Sequence, residues 1–150
     1  MSVEGIGAPA VGVASGTLAI RDSRATGQQK LEAVKGDGAI TLPVELLVDA
    51  GTSGAAEIFA AAMAGNKRAD LIGEHTIGRT GIQELVKLPD ASGLWITSSR
   101  YLTPAGAAIQ GKGLEPTVVV DQPDGEFGLP APPDQILQKA VERFTQKKAA

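Results

Sequence analysis

Ser53 is the side chain in this sequence that is best placed to do chemistry. It lies in the glycine-flanked turn Gly51–Gly54, between the apolar run Val44–Val48 and the alanine-rich segment 55–64. A strand, a tight turn and a helix in this order can expose one reactive side chain and leave free backbone N–H groups at the helix start. A hydroxyl there could act as a nucleophile, and the N–H groups could bind a carbonyl oxygen or a carboxylate.

Few partners are available to Ser53. A serine hydroxyl becomes a nucleophile when a base takes its proton, and His75 is the only histidine of the chain. The chain has no cysteine, which excludes disulfides, thiolate nucleophiles and zinc–thiolate sites. The more common roles of these residue types are structural, so we favour Ser53 as the N-cap of the following helix and His75 as a loop residue. We expect no metal and no cofactor.

The elements that position this turn alternate between strand and helix patterns. Two-sided apolar character predicts that Val44–Val48 is a central strand buried on both faces, followed by a helix over 55–64 and a parallel strand over 69–73. The class is α/β, a single domain with a mixed sheet. The other predicted strands are 17–21, 29–34, 82–88, 94–102 and 118–120.

The two ends of the chain differ in composition from the core between them. Residues 1–16 are rich in glycine and alanine and predict a loop or weak helix that leads into a core over 17–128. The proline-rich segment 129–133 is a linker, and Asp134 is the predicted N-cap of a closing helix over 134–150.

Four separated segments, 43–63, 73–83, 100–104 and 109–116, resemble the core of the carboxyl-terminal processing (tail-specific) serine proteases. The resemblance implies a Clp-protease/crotonase-like fold and a Ser–Lys dyad that cleaves near the C-termini of proteins, so unstructured or C-terminal protein segments are the expected partners. It also implies a periplasmic or extracellular location, although this N-terminus has no signal-peptide pattern. The family usually carries a PDZ domain before this core; the chain has no room for one and looks like the C-terminal part of such a protein.

Carried over residue by residue, the resemblance puts the nucleophile position at Gly54 and the base position at Arg79. Gln83 falls where a residue assists the base. Independently of the resemblance, the N–H groups at the helix start, at Ala55, and the guanidinium of Arg79 could bind a peptide carbonyl or carboxylate. Glycine has no side chain, and arginine stays protonated in proteins and cannot act as the base. The isolated chain is therefore expected to be inactive; the alternatives are a non-catalytic peptide-binding or scaffold domain, and an active peptidase that uses Ser53.

Several other residues have structural roles as their favoured interpretation. Arg79 could bind a peptide carboxylate, or it could pair with a glutamate, and we slightly favour pairing with one of Glu57, Glu74 and Glu84. Glu57 lies early in a helix, where a carboxylate interacts favourably with the helix dipole. Trp95 is expected to pack within a hairpin. Lys112 is flanked by glycines but lacks the spacing of a phosphate-binding loop.

Composition excludes two broad classes of function. The net charge of −3 and the pI near 5.1 give no electrostatic footprint for nucleic acid. No run of 18 apolar residues occurs, so no membrane span is predicted. Apolar residues make up 43% of the 150 residues, which is typical of one globular domain. The oligomeric state is not predicted.

Overall fold

A computed structural model describes residues 12–34, 36, 38, 40–123 and 132–149. Most of the predicted lead-in, residues 1–11, lies outside the described residues, as does the greater part of the predicted linker. Residues 12–16 form a turn and bends rather than a helix, with Val13 buried.

The described residues form seven strands and two helices, and most lie within two residues of their predicted positions. The elements are β1 Thr17–Ser23, β2 Gly27–Glu32, β3 Val44–Val48, α1 Ala55–Gly65, β4 Ala69–Gly73, β5 Gly81–Lys87, β6 Gly93–Leu102, β7 Val118–Val119 and α2 Gln135–Ala149. Alanine is the best helix former, and Gly65 with Asn66 ends α1 where predicted.

The strands lie in two sheets. An antiparallel sheet has the order β2-β1-β6-β5, and a parallel sheet has the order β3-β4-β7. The α/β class is confirmed, and so is the parallel strand–helix–strand unit β3–α1–β4. The parallel and antiparallel strands are, however, divided between two sheets instead of mixed within one.

The prediction that Val44–Val48 is a central strand is wrong for the described residues. β3 is an edge strand of the parallel sheet, and Leu47 is 45% exposed. The apolar pattern reports what covers the two faces of a strand, and here α1 packs on one face and α2 lies on the other. The pattern does not show which strands lie beside β3. The predicted burial on both faces is wrong as well, because only Val48 of the five residues of β3 is buried.

α1 lies between the two sheets and holds them together. On one side Ile58 packs with Ala19, Ile82 and Tyr101 of the antiparallel sheet. On the other side Ala60 and Ala61 pack against the parallel sheet and the loop that follows β6, in a cluster with Val48, Leu71, Ile109 and Leu114. Small alanine side chains allow close approach on both sides, which explains why a helix with few large residues can be almost wholly buried.

α2 covers the far face of the parallel sheet. Its Ile136 and Ala140 pack with the fully buried Ile72 of β4. Asp134 is the N-cap as predicted, since its Oδ1 accepts a 2.8 Å hydrogen bond from the N–H of Leu137. Arg143 donates to Asp70 Oδ2 at 2.7 Å and lies 3.4 Å from Glu45 Oε1, so it links the helix to both β4 and β3.

The β5–β6 hairpin extends past the strand that flanks it. β1 pairs with β6 over Ser99 to Leu102, whereas β5 pairs with β6 from Gly93 to Arg100. The half of the hairpin near its turn is therefore a two-stranded ribbon, with exposed apolar side chains at Leu85, Val86, Leu88, Leu94, Trp95 and Ile96. The expectation that Trp95 packs is wrong, because no third strand covers this ribbon in the described part of the chain.

Candidate functional site

The turn between β3 and α1 has a backbone conformation at Gly54 that glycine adopts readily and other residues adopt at a cost. Its φ of 61° and ψ of −121° lie in a region that L-residues rarely adopt. A Cβ built on Gly54 would have only the Arg79 carbonyl oxygen near it, at 3.7 Å. There is therefore space for a side chain at this position, and the backbone conformation alone disfavours one.

The N-cap of α1 is Gly54, so the prediction that Ser53 caps the helix is wrong. Ser53 is exposed, and its hydroxyl forms no hydrogen bond with any residue that the structure describes. The helix begins one residue later than a Ser53 cap would need. The carboxylate of Glu57, three residues into the helix, accepts a hydrogen bond from the N–H of Gly54, as in one half of a capping box.

Glu57 is the centre of the site. Its side chain is fully buried, and it accepts four hydrogen bonds. Oε1 accepts from Thr76 Oγ1 at 2.5 Å and from the N–H of Gly78 at 2.7 Å. Oε2 accepts from the N–H of Arg79 at 2.7 Å and from the N–H of Gly54 at 3.2 Å. A carboxylate satisfied in this way can remain in the core, where an unpaired one would be very costly.

Through Glu57 the positions Gly54 and Arg79 are brought together. Their backbone N–H groups share one carboxylate oxygen, and the Cβ position of Gly54 faces the carbonyl of Arg79. The side chain of Arg79 is exposed, and no carboxylate of the described residues lies within 4.0 Å of its guanidinium. The favoured pairing of Arg79 with a glutamate is thus absent, and the guanidinium is free to meet a ligand.

A third segment completes the frame behind this pair. The Thr76 hydroxyl accepts from the N–H of Leu114 at 2.8 Å while it donates to Glu57. Gly113 fits against it so closely that a Cβ would lie 2.0 Å from the Thr76 carbonyl oxygen. Gly113 therefore allows close backbone packing after Lys112, whereas no atom lies within 4 Å of a Cβ built on Gly111.

His75, Gln83 and Ala55 are less closely tied to the site. His75 is exposed, with Nε2 3.7 Å from Glu115, and has no contact with Ser53. Gln83 is exposed on β5 opposite Thr97, and its side chain does not bond to Arg79. Ala55 is the first residue of α1, and its N–H finds no acceptor in the described part of the chain. That N–H is open to a carbonyl oxygen or carboxylate.

The arrangement offers hydrogen-bond donors that can bind an acceptor group. It has a guanidinium at Arg79 and a free N–H at Ala55, but no side chain at Gly54 and no base beside Ser53. The sequence motif included Glu57 but gave it only a dipole role; a glutamate three residues after a glycine N-cap was the signal for the capping arrangement. Its bonds to Thr76, Gly78 and Arg79 depend on long-range folding.

Comparison with known proteins identifies the family. The sequence profile of Peptidase family S41 matches residues 5–120, so the chain belongs to this family. The resemblance to carboxyl-terminal processing proteases is thereby confirmed, and with it the Clp-protease-like fold.

Individual relatives agree with this assignment. A carboxyl-terminal-processing protease of Synechocystis is 38% identical over 120 residues, 79% of this chain and 28% of the relative. A chloroplastic carboxyl-terminal-processing peptidase of Arabidopsis thaliana is 46% identical over 74 residues, 49% of this chain and 14% of the relative. The solved structure of a photosystem II D1 C-terminal processing protease superposes with a TM-score of 0.70 at 34% identity, covering 78% of this chain and 30% of that one.

The chain thus spans less than a third of the length of these relatives. A putative peptidase from Parabacteroides merdae shares the fold, with a TM-score of 0.72 at 13% identity. The superposition covers 93% of this chain and 46% of that one. In the described ranges no helix is long and apolar enough to cross a membrane. The same ranges contain no cluster of three or more His, Cys, Asp or Glu side chains that could hold a metal ion.

Proposed function

We propose that this chain is a peptidase S41 domain that binds carboxyl-terminal protein segments at Gly54, Ala55 and Arg79 without cleaving them. One observation carries the proposal: the frame that Glu57 builds around the site is complete, while the nucleophile and base positions hold glycine and arginine. The exposed guanidinium of Arg79 and the open N–H of Ala55 lie on segments whose backbones meet at Gly54. Both groups suit a peptide carboxylate, which arginine can bind through two parallel hydrogen bonds.

The alternative is an active peptidase that uses Ser53. Its exposed hydroxyl and its place beside the family nucleophile position favour this alternative. Against it, His75 makes no contact with Ser53, and Arg79 cannot take a proton. A serine without a base is a poor nucleophile.

Hydrolysis and binding are tested on the same labelled, unstructured peptides. The purified chain is expected to bind them and to release no fragments on prolonged incubation, measured by mass spectrometry. Ser53→Ala is expected to change neither result. Fragments from the unmodified chain that disappear with Ser53→Ala, while the variant stays folded, would overturn the non-catalytic proposal.

The role of Arg79 is tested by comparing each peptide as a free acid and as a C-terminal amide. The acid is expected to bind roughly tenfold more tightly, and Arg79→Gln should remove this difference. Arg24→Gln is the matched control, because Arg24 is also exposed and lacks a carboxylate partner among the described residues. Equal affinity for acid and amide would contradict carboxylate binding at this site.

Two expectations from the sequence stay predictions. The core limits of 17–128 are tested by limited proteolysis of the full-length protein. The periplasmic or extracellular location is tested by fractionation of the source cells.

A further inference from the structure

β5 presents an open edge that begins beside the candidate site. It is the outermost strand of the antiparallel sheet, with β6 on its inner side, and within the described residues nothing pairs with its outer side. The N–H of Gly81 is taken by Gln110 Oε1 at 2.6 Å. From Gln83 to Lys87 the backbone bonds only to β6, so alternate N–H and C=O groups point outward without a partner.

This edge carries an apolar surface on the face that Gln83 shares. Leu85 lies directly opposite Trp95, and the two side chains are 48% and 63% exposed. Gln83 and Thr97 form the pair two positions closer to the start of β5. They lie on the same face as Leu85 and Trp95, because alternate residues of a strand share a face. Glu84 and Ile96 form the intervening pair and face the other way, as do Val86 and Leu94 on the far side of Leu85. A strand added at the edge would place every second side chain beside Leu85.

The position of Arg79 selects the direction of an added strand. Arg79 precedes β5 by two residues, and its guanidinium has no carboxylate partner in the described part of the chain. A peptide antiparallel to β5 would end near Gly81, with its carboxylate toward Arg79. A parallel peptide would bring its positively charged amino terminus there instead. Charge therefore favours the antiparallel direction.

We propose that the carboxyl-terminal segment bound by this domain pairs in extended form, antiparallel, with the outer edge of β5. Its carboxylate meets Arg79, and an apolar side chain about four residues before its end rests on Leu85 and Trp95. The inference rests on the proposed function and adds to it the conformation and the side-chain preference of the ligand. At about 3.3 Å per residue, an extended peptide of six or seven residues reaches from Arg79 to Leu85. Backbone pairing gives affinity, and the apolar contact gives selectivity.

Backbone pairing is tested with two N-methylated versions of one synthetic peptide that has leucine four residues before its free carboxylate. One version is methylated at odd positions and the other at even positions, so each loses alternate N–H donors. Only one set of donors can face β5, so one version should bind roughly fivefold or more weakly than the other, by calorimetry. Equal binding of the two versions would contradict strand pairing.

The apolar contact is tested with variants of matched exposure on opposite faces of the ribbon. Leu85→Ser is expected to weaken binding roughly tenfold, whereas Leu94→Ser, 49% exposed in the unmodified chain, should bind as before. Replacing the peptide leucine by serine should match the Leu85→Ser effect. Trp95 is the only tryptophan, so its emission reports burial directly and should shift to the blue on binding. Equal effects of Leu85→Ser and Leu94→Ser would overturn this contact.

The two proposals fail in different ways. If the free acid binds better than the amide and Arg79→Gln abolishes this preference, but Trp95 emission and the paired variants do not respond, the edge of β5 is not used and carboxylate binding stands. If acid and amide bind equally, carboxylate binding fails, and the proposed antiparallel alignment fails with it. If no peptide binds, both proposals are wrong.

Discussion

A single carboxylate determines the geometry of the candidate site. Glu57 joins the start of α1 to the Thr76–Arg79 segment through four hydrogen bonds, and it does so in the core, away from water. The shape of the site therefore depends on this one residue.

We expect Glu57→Ala to destabilise the chain by about 4 kcal/mol, because it leaves four donors without an acceptor and opens a cavity. Glu57→Gln should cost about 2 kcal/mol, since an amide retains one acceptor oxygen and turns its NH2 toward two donors. Urea denaturation measures both.

Glu115→Gln is the control for these changes. The Glu115 side chain is 74% exposed, and among the described residues its ion pair is with the exposed His75. The free energy of unfolding of the variant should therefore change by less than about 0.5 kcal/mol. A Glu57→Ala variant as stable as Glu115→Gln would show that the buried network adds nothing to the fold.

Tyr101 makes a prediction about alkaline pH. Burial raises the pKa of its phenol above the usual 10.0, and nearby Arg21 opposes the rise only in part. The neutral phenol therefore contributes stability that is fully present below pH 10.0 and is lost as the pH rises through the higher native pKa. We expect unfolding free energy to fall more steeply above this pH in the unmodified chain than in Tyr101→Phe. Parallel curves would contradict this.

At the scale of elements, the sequence predicted nearly every helix and strand because their signals are local. Alanine content, the Gly65–Asn66 stop and the Asp134 cap all act within one or two turns of chain. The pairing of strands is long-range, which is why β3 was wrongly placed at the centre of a sheet. The exposure of Trp95 was missed for the same reason: alternation within a strand does not show whether another layer covers it.

In the site, sequence reasoning predicted which residues come together but not how they are held. The positions Gly54 and Arg79 were taken from the family resemblance, and their backbones do meet. The Ser53 cap was wrong because the helix begins one residue later than that cap requires: its first bond of the i to i+4 type runs from the N–H of Ile58 to the carbonyl of Gly54. No local pattern shows that Glu57 also reaches across to Thr76 and Gly78.

The attachment of α2 is expected to depend on Arg143, which bonds to Asp70 and lies beside the nearly fully buried Glu45. Arg143→Met removes the cation that pairs with these carboxylates. We expect the free energy of unfolding to fall by about 2 to 3 kcal/mol. This is at the lower end for breaking a buried pair, because Asp70 is partly exposed. Hydrogen exchange should show the amides of α2 opening first.

Lys139→Gln provides the comparison for α2. Lys139 pairs with Glu142 on the exposed side of the same helix, so its loss should change stability by less than about 0.5 kcal/mol. If both variants exchange α2 amides at the same rate, the link from Arg143 to the parallel sheet does not hold the helix in place.

At the scale of the whole molecule, the described residues supply the helices that cover the parallel sheet but only three strands of that sheet. α1 and α2 cover both faces of the parallel sheet, and β3 is its edge strand within the described residues. The chain covers under a third of the length of these relatives. Family membership is established by this shared core. Activity, substrate and assembly belong to the whole protein and are proposed only on the chemistry of the site.

The backbone conformation at Gly54 bears on which residues can replace one another there during evolution. A serine in the same backbone conformation would cost about 1 to 3 kcal/mol, which an active peptidase must tolerate in order to present its nucleophile. Once selection for hydrolysis is relaxed, exchange to glycine relieves that cost and leaves the Glu57 network intact. Loss of catalysis is then a stabilising mutation, and reversal is opposed by stability as well as by chance. Descendants that keep the family's motif around an empty nucleophile position are an expected outcome of neutral drift.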